Sequence, residues 1–229
     1  MESPLFHSYI DTSPGVCTSI LVDRYLAGKY RPWAVAAAFG DNLHASAFQM
    51  AENLKLEAQE AEKLRELGEL INYNAYGETL DDLHFSPESL FLALHSFTEP
   101  FEFIQSSGEL KQLREGFRSD MRKAQEKKAL KQSSSGRIFQ FPNTQWSRRV
   151  SGVFSNQLAR ESPELAHALL VERTDGTFLV SVRAPITKPY GADKLCLKFS
   201  GGGRFAAAGI NKLAQEDVDR FFAAFEKQF

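Results

Sequence analysis

The chain has 229 residues, enough for one large domain or two small ones, and a folded chain of this size hides roughly 70% of its unfolded surface, so a core forms without staples. Hydrophobic residues at 43% and charged residues at 24% exclude a disordered chain. A net charge of −2 excludes a whole-chain attraction to nucleic acid or anionic membrane, but it hides a split: residues 1–136 carry 14 basic and 20 acidic side chains, residues 137–229 carry 13 and 9.

Met1 to Leu5 contains Glu2 and Pro4 and has no basic or apolar signal region behind it. The longest apolar run, Trp33 to Phe39, is far too short to span a bilayer. Cys17 and Cys196 lack a CxxC partner and read as buried free thiols of a reducing compartment, with a disulfide as the other option. A cytoplasmic protein is expected.

Asp11-Thr12-Ser13-Pro14-Gly15 is rich in turn and cap residues. Cys17, Ile20, Leu21, Tyr25 and Leu26 are then spaced for one helical face, with Gly28 as a stop. Trp33 to Phe39 is a buried element, helix or strand. A long helical region is predicted from about Ala45 to Ile71, with Leu64, Leu67, Leu70 and Ile71 inward. The polar and aromatic stretch Asn72 to Gly77 interrupts it and reads as an interhelix loop, or as the lining of a ligand cleft. Ser86 as N-cap and Pro87 at the first position start a helix with Leu90, Phe91, Leu94 and Phe97 on its apolar face. A charged helix follows from Glu109 to about Lys131. The polar tract Ser133-Ser134-Ser135-Gly136 is expected as a linker.

The last 93 residues change pattern. Arg137 to Phe141 reads as a strand and Ser147 to Glu161 as a helix. Ala166 to Glu172 and Thr177 to Ala184 are β-rich runs joined by the turn Thr174-Asp175-Gly176. A short helix over Ala192 to Phe199, a loop at Gly201 to Gly203, an element over Ala206 to Ile210 and an amphipathic helix over Gln215 to Phe229 complete the chain. The class is α/β in two domains: 1–132 mostly helical, 133–136 the linker, and 137–229 a small mixed α/β domain.

Two segments carry chemistry. In Ser200-Gly201-Gly202-Gly203-Arg204-Phe205-Ala206-Ala207-Ala208-Gly209, three glycines allow consecutive N–H groups to face one concavity, and Arg204 adds a fork that fits phosphate. A flexible loop followed by tightly packed alanines is the equal alternative. In Ser181-Val182-Arg183, strand alternation puts Ser181 and Arg183 on one face, where a hydroxyl and a guanidinium complete a phosphate pocket. An edge arginine in water is the plainer reading of that pair alone.

In their order along the chain, these segments resemble the DHH-associated C-terminal domain, whose mark is a Gly-Gly-Gly-His loop followed by small residues and glycine. The match covers roughly 137–229 and departs at Arg204, which stands where the family has histidine. The resemblance is to the DHH phosphoesterases, which include RecJ-like exonucleases, oligoribonucleases and cyclic-dinucleotide phosphodiesterases. It implies that Ser181, Arg183, Gly201, Gly202, Gly203 and Arg204 bind substrate phosphate. Ile10 to Ser19 then resembles the segment after the family's Asp-His-His motif. Ala37-Ala38-Phe39-Gly40-Asp41-Asn42 resembles its fourth metal motif, with Asp41 as ligand to Mn²⁺ or Mg²⁺. By its residues alone, Asp41 reads as a helix-capping aspartate.

The early Asp-x-Asp, the second lone aspartate and the Asp-His-His triplet are missing upstream of Asp41, and one carboxylate cannot hold two ions. Residues 1–132 therefore read as the remnant of a DHH domain in a truncated chain. Phosphate-ligand binding is expected to be retained, with hydrolysis weak or absent, and no catalytic residue is assigned. The implied partner is a nucleotide or short oligonucleotide rather than a membrane, with a homodimer left open. His44, His84, His95 and His167 have no metal-ligand spacing. The cluster Arg122, Lys123, Lys127, Lys128 and Lys131 reads as a fraying charged helix or as a nucleic-acid contact. Two alternatives stand beside this reading. One is a non-catalytic nucleic-acid-binding or interaction module. The other is an acetyltransferase, because Arg204 to Gly209 nearly fits an Arg-x-x-Gly-x-Gly pyrophosphate loop.

Overall fold

In the computed structural model, which describes residues 7–229, the chain divides into two compact units. One comprises the chain up to Ala75 together with His84–Glu115, the other Tyr76–Leu83 with Gly116–Phe229. The segment Met1 to Leu5, read above for a signal region, lies outside the described residues. Among the described residues no helix is long and apolar enough to cross a membrane.

The first unit is helical. α1 (Thr18–Tyr25) precedes α2 (Arg31–Gly40), so the alanine-rich run from Trp33 is helix, as the high helix propensity of alanine favours. The long helix expected from Ala45 is broken into α3 (His44–Asn53) and α4 (Ala58–Tyr73). Lys55 takes a left-handed φ of 57° at the break, and the Glu60 carboxylate reaches back to accept from the Glu57 N–H (2.9 Å), capping the new helix. α5 (Pro87–His95) starts as predicted, with Ser86 Oγ accepting from the Ser89 N–H (3.1 Å). Its apolar face differs from expectation: Leu90 is buried, whereas Phe91 is 60% exposed. α6 (Pro100–Ser106) was not predicted. α7 (Gly108–Gln125) ends well before Lys131, and the unit boundary falls within it. Val35, Phe39, Leu64, Leu67, Phe103, Leu110 and Leu113 are fully buried in this unit.

Helices α2 and α4 meet backbone to backbone. A Cβ on Gly68 would land on the Ala36 carbonyl, and one on Gly40 would lie 2.7 Å from the Gly68 carbonyl oxygen. Small residues on both helices permit that approach, and with it the packing of Val35 and Phe39 against the α4 stripe.

The second unit is built on a six-stranded mixed sheet. β1 (Lys131–Gln132) and β2 (Gly136–Phe141) form an antiparallel pair. Residues 133–136, expected as a linker, close that hairpin, with the Ser133 N–H donating to the Gly136 carbonyl (2.9 Å). α8 (Gln145–Glu161) carries the chain over to β3 (Ala166–Glu172), parallel to β2. β4 (Phe178–Arg183) returns antiparallel through the predicted Asp175-Gly176 turn. After α9 (Ala192–Leu197) come β5 (Gly202–Gly203), β6 (Ala207–Leu213) and α10 (Val218–Gln228). The sheet order is β1-β2-β3-β4-β6-β5.

β3 is buried along both faces, which explains its unbroken apolar run. One face packs a cluster of Ile138, Leu170, Val180, Val182 and Ile210 with Leu195 of α9 and the stripe Phe221, Phe222 and Phe225 of α10. On the other face α8 sets Phe154 against Phe139 and Phe141, with ring centroids 5.5 and 5.1 Å away. Both cysteines are free; Cys196 is buried, with its thiol pushed up to about 12 by burial, but Cys17 is only half-buried, contrary to expectation.

Replacing Gly68 by alanine forces α2 and α4 apart and is expected to cost about 3 kcal/mol in urea unfolding, as overpacked cores do. Gly108→Ala, where an added Cβ meets nothing within 4 Å, serves as the control and is expected to leave stability unchanged or slightly raised.

Candidate functional site

Alternation along β4 separates its side chains. Phe178, Val180 and Val182 enter the cluster beneath the sheet, and Leu179, Ser181 and Arg183 face the α8 side. Register sets Ser181 beside Gly209 of β6 and Arg183 beside Ala207, so two residues without bulk flank the pair. Arg183 Nε donates to Asn156 Oδ1 on α8 (2.9 Å) and Nη1 donates to the Val182 carbonyl (3.2 Å). Burial holds the Arg183 pKa below its ordinary value; the nearby Tyr76 hydroxyl works against that, and the charge of Arg204 adds to it. Among the described residues no carboxylate pairs with Arg183. A half-enclosed guanidinium that, among the described residues, bonds only neutral groups and feels the charge of a second cation favours an anion beside it.

The glycine run is an edge strand rather than a free loop. Ser200 takes a left-handed φ of 57° after α9, and the Gly201 N–H donates to the Cys196 carbonyl (2.9 Å). A Cβ on Gly201 would collide with the Gly209 carbonyl; one on Gly203, at φ +143°, would lie 2.5 Å from Ala208 Cα. Close strand packing therefore requires both glycines. Gly202 alone is open, with nothing within 4 Å of an added Cβ. Arg204 and Ala207 exchange both backbone hydrogen bonds (2.9 and 3.1 Å) across a two-residue turn. The amides of Gly201 and Arg204 are thus already bonded, which leaves Gly202–Gly203, paired with β6 on one side only, as the backbone open to a ligand. Arg204 is exposed at the hairpin tip, followed by exposed Phe205, whose ring lies 5.8 Å from that of Tyr190.

The same hairpin removes the pyrophosphate-loop reading of Arg204 to Gly209. That cradle requires a loop feeding a helix N-terminus, and here the run turns into strand β6.

Tyr76 belongs to this face, although its sequence neighbours are helical. Its ring lies over Gly152 of α8, where a Cβ would be 3.0 Å away. Asp82 holds the segment 76–83 in place: its carboxylate accepts from the Glu78 and Thr79 N–H groups (2.7 and 3.2 Å) and from Arg148 Nε and Nη2 (2.8 and 2.7 Å). Arg149 adds a bond to the Asp82 carbonyl (2.7 Å) and pairs with Asp120 (2.8 and 2.7 Å). Gln145 Nε2 donates to the Asp81 carbonyl (2.8 Å), and Arg173 pairs with Glu78. Burial pushes the Asp82 carboxyl up, but the bonds from Arg148 and the two amides outweigh it and hold the pKa below the ordinary value.

Asn156 is the member of this face that the sequence reading missed; Tyr76 lies in the stretch read as an interhelix loop or as the lining of a cleft. Asn72 to Gly77 stood out as polar and aromatic, and Gly152 and Asn156 are one helical turn apart on α8, a small residue next to a polar one. That spacing was the available signal.

In the helical unit, Asp41 caps α2, its N–H donating to the Ala37 carbonyl (2.9 Å). With Cys17, Trp33, Asn72, Phe91 and His95 it lines a mostly apolar cavity of about 930 Å³. Among the described residues no three His, Cys, Asp or Glu side chains come together as a group able to hold a metal ion. The donors around Asp41 do not fit the carboxylate- and imidazole-rich set that two catalytic ions require. His84 bonds the Tyr73 hydroxyl (2.7 Å), and His167 is buried on β3.

No family profile matches the chain, and no curated protein matches it. Solved structures do. A pGpG-specific phosphodiesterase, PggH, from Vibrio cholerae aligns over 80% of this chain and 74% of its own, with a TM-score of 0.50 and 15% identity. An exopolyphosphatase-related protein from Bacteroides fragilis aligns over 82% of this chain and 56% of its own (TM-score 0.40, 16% identity). CDC45 from Entamoeba histolytica aligns over 86% and 53% (TM-score 0.44, 10% identity). At such identities the likeness is one of fold, and this chain spans little more than half of the latter two.

Asp82→Asn removes the buried carboxylate that pairs with the half-buried Arg148 and is expected to cost about 3 kcal/mol at neutral pH. Because the folded Asp82 pKa is depressed, its stabilisation is complete above pH ~4 and is lost as pH falls through the depressed value. The gap between wild type and variant in urea midpoints therefore narrows on acidification; a gap constant from pH 7 to pH 3 would contradict this assignment.

Proposed function

We propose that the chain is a DHH phosphoesterase-like protein whose sheet unit binds a phosphorylated ligand, a nucleotide or short oligonucleotide. The observation that carries this reading is the half-enclosed Arg183, without a carboxylate partner among the described residues, on one face with Ser181 and flanked by Gly209 and Ala207. Phosphate oxygens would accept from Arg183, Ser181 Oγ and Arg204. Gly202 would let the ligand approach the edge strand closely, and Gly201 and Gly203 would act by permitting the hairpin that presents Arg204. The fold shared with a protein described as a pGpG-specific phosphodiesterase supports a short 5′-phosphorylated oligonucleotide as the first ligand to try.

Hydrolysis is a separate matter. An attack on phosphorus assisted by two metal ions needs several ligands around each ion, and Asp41, the proposed metal ligand, has no such companions among the described residues. Binding without efficient turnover is therefore proposed.

Calorimetric titration with a 5′-phosphorylated diguanylate dinucleotide tests the binding. Arg183→Gln is expected to weaken it about 10- to 100-fold, the worth of a hydrogen bond to a charged group, and Arg204→Gln less, because that side chain is exposed. Equal affinity in wild type and Arg183→Gln would overturn the reading. Rapid Mn²⁺-dependent cleavage of the dinucleotide, abolished by Asp41→Ala, would overturn the proposal of weak turnover.

A further inference from the structure

A second concavity in the sheet unit lies on the α8 side near β2, and its chemistry differs from that of the Arg183 face. It has a volume of about 580 Å³, within the usual range for small-molecule sites. Phe139, Phe154, Leu158 and Ala129 supply apolar surface, and Lys127, Lys128, Arg137, Gln125, Gln132 and Gln157 supply donors. Register sets Gln132 of β1 beside Arg137 of β2, and the Leu130 N–H donates to the Ile138 carbonyl (2.7 Å), so the β1–β2 hairpin fixes the lysine segment over Arg137.

The charges there are unbalanced. Arg137 Nη2 donates to Ser162 Oγ (2.7 Å), but its Nε is buried and has no hydrogen-bond partner among the described residues. Lys127 and Lys128 are exposed, and neither forms an ion pair among the described residues. The lone carboxylate of the lining, Glu161, accepts from Gln157 Nε2 (2.6 Å) rather than pairing with Arg137. The nearest titratable neighbour on the sheet, His167, stands beside Arg137 across the β2–β3 pairing. It is held neutral, its pKa lowered to about 4 chiefly by burial and further by the Arg137 charge, against the opposing effects of the Ser162 carbonyl and Glu161. Three cations thus converge on an apolar-floored cavity with one carboxylate, itself engaged by an amide.

We infer that this cavity is a second, independent site for a phosphomonoester carried on an apolar or aromatic body. Arg137 and the two lysines bind the phosphate, and the phenylalanine floor takes the body. Nothing in this assignment depends on the Arg183 face, and it gives Lys127 and Lys128 of the basic cluster after α7 a role that the proposed phosphate face leaves unused.

Amide NMR titrations with phenyl phosphate and with inorganic phosphate test the inference on the full chain. Phenyl phosphate is expected to shift amides of 127–132 and Arg137 saturably, and to bind several-fold more tightly than inorganic phosphate because its ring is buried. Lys127→Gln/Lys128→Gln, at exposed positions that the fold does not need, is expected to weaken phenyl phosphate about tenfold or more while leaving dinucleotide binding at the Arg183 face intact. Arg183→Gln is expected to do the reverse, so failure at one site is distinguishable from failure at the other. The inference is overturned by an absence of saturable shifts in this segment, by shifts that the double variant does not change, or by equal affinity for the two phosphates. It is also overturned if a short single-stranded oligonucleotide occupies the same amides more tightly than phenyl phosphate and with a steeper salt dependence, which would mark a polyanion surface.

Discussion

The paired arginines at the start of α8 govern the architecture of the sheet unit. Arg148 forks onto Asp82, and Arg149 joins Asp120 to the Asp82 carbonyl. Both carboxylates are almost fully buried; the Arg148 fork meets both oxygens of Asp82, and Asp120 Oδ2 accepts from Arg149 Nε and Nη2. Through these bonds the eight-residue stretch Tyr76–Leu83 becomes part of the sheet unit although the sequence on either side of it is helical. The placement of Tyr76 over Gly152, and hence the electrostatic surroundings of Arg183, follows from that attachment.

The arginines of this unit that are not exposed fall into two groups. Arg148, Arg149 and Arg173 are matched to carboxylates, which is how a fold accommodates charge in partly enclosed positions. Arg137 and Arg183 are half-enclosed and, among the described residues, matched only to neutral oxygens. They sit in one row across β2, β3 and β4, with His167 paired to both, and burial keeps that imidazole neutral between them. The fold thus tolerates two uncompensated cations on either side of a neutral histidine, each beside open surface. Arg137 and Arg183 are two of the 13 basic side chains, against 9 acidic ones, that give residues 137–229 their positive balance.

Strands and helices with a clear period were readable from the residues. β3, β4, the Asp175-Gly176 turn, α8 and the Phe221-Phe222-Phe225 stripe of α10 follow directly from apolar spacing and turn chemistry. The break between α3 and α4 was less visible, because Lys55 is an unusual residue for a left-handed position and the marker was only a Glu57-x-x-Glu60 cap. Ser133 to Gly136 has the composition of a linker, yet in contact with β2 it becomes a tight turn, a long-range effect that local composition does not encode. The pairing of Ser181 with Arg183 was readable from alternation. That Gly201 and Gly203 serve strand packing, leaving Gly202 open, depends on the register of β5 and β6 and could not be read locally. Asn156 and Tyr76 join the site through contacts between distant segments, to which the Gly152–Asn156 spacing and the polar, aromatic run Asn72 to Gly77 were the local pointers.

The central claim is that the uncompensated charge of Arg183 makes this face of the sheet an anion site. A crystal soaked in tungstate, a phosphate mimic with a strong anomalous signal, tests it directly. The account predicts an anomalous peak within hydrogen-bonding reach of the Arg183 guanidinium and Ser181 Oγ, beside Gly202. A crystal in which tungstate binds elsewhere while a carboxylate turns to pair with Arg183 would contradict it.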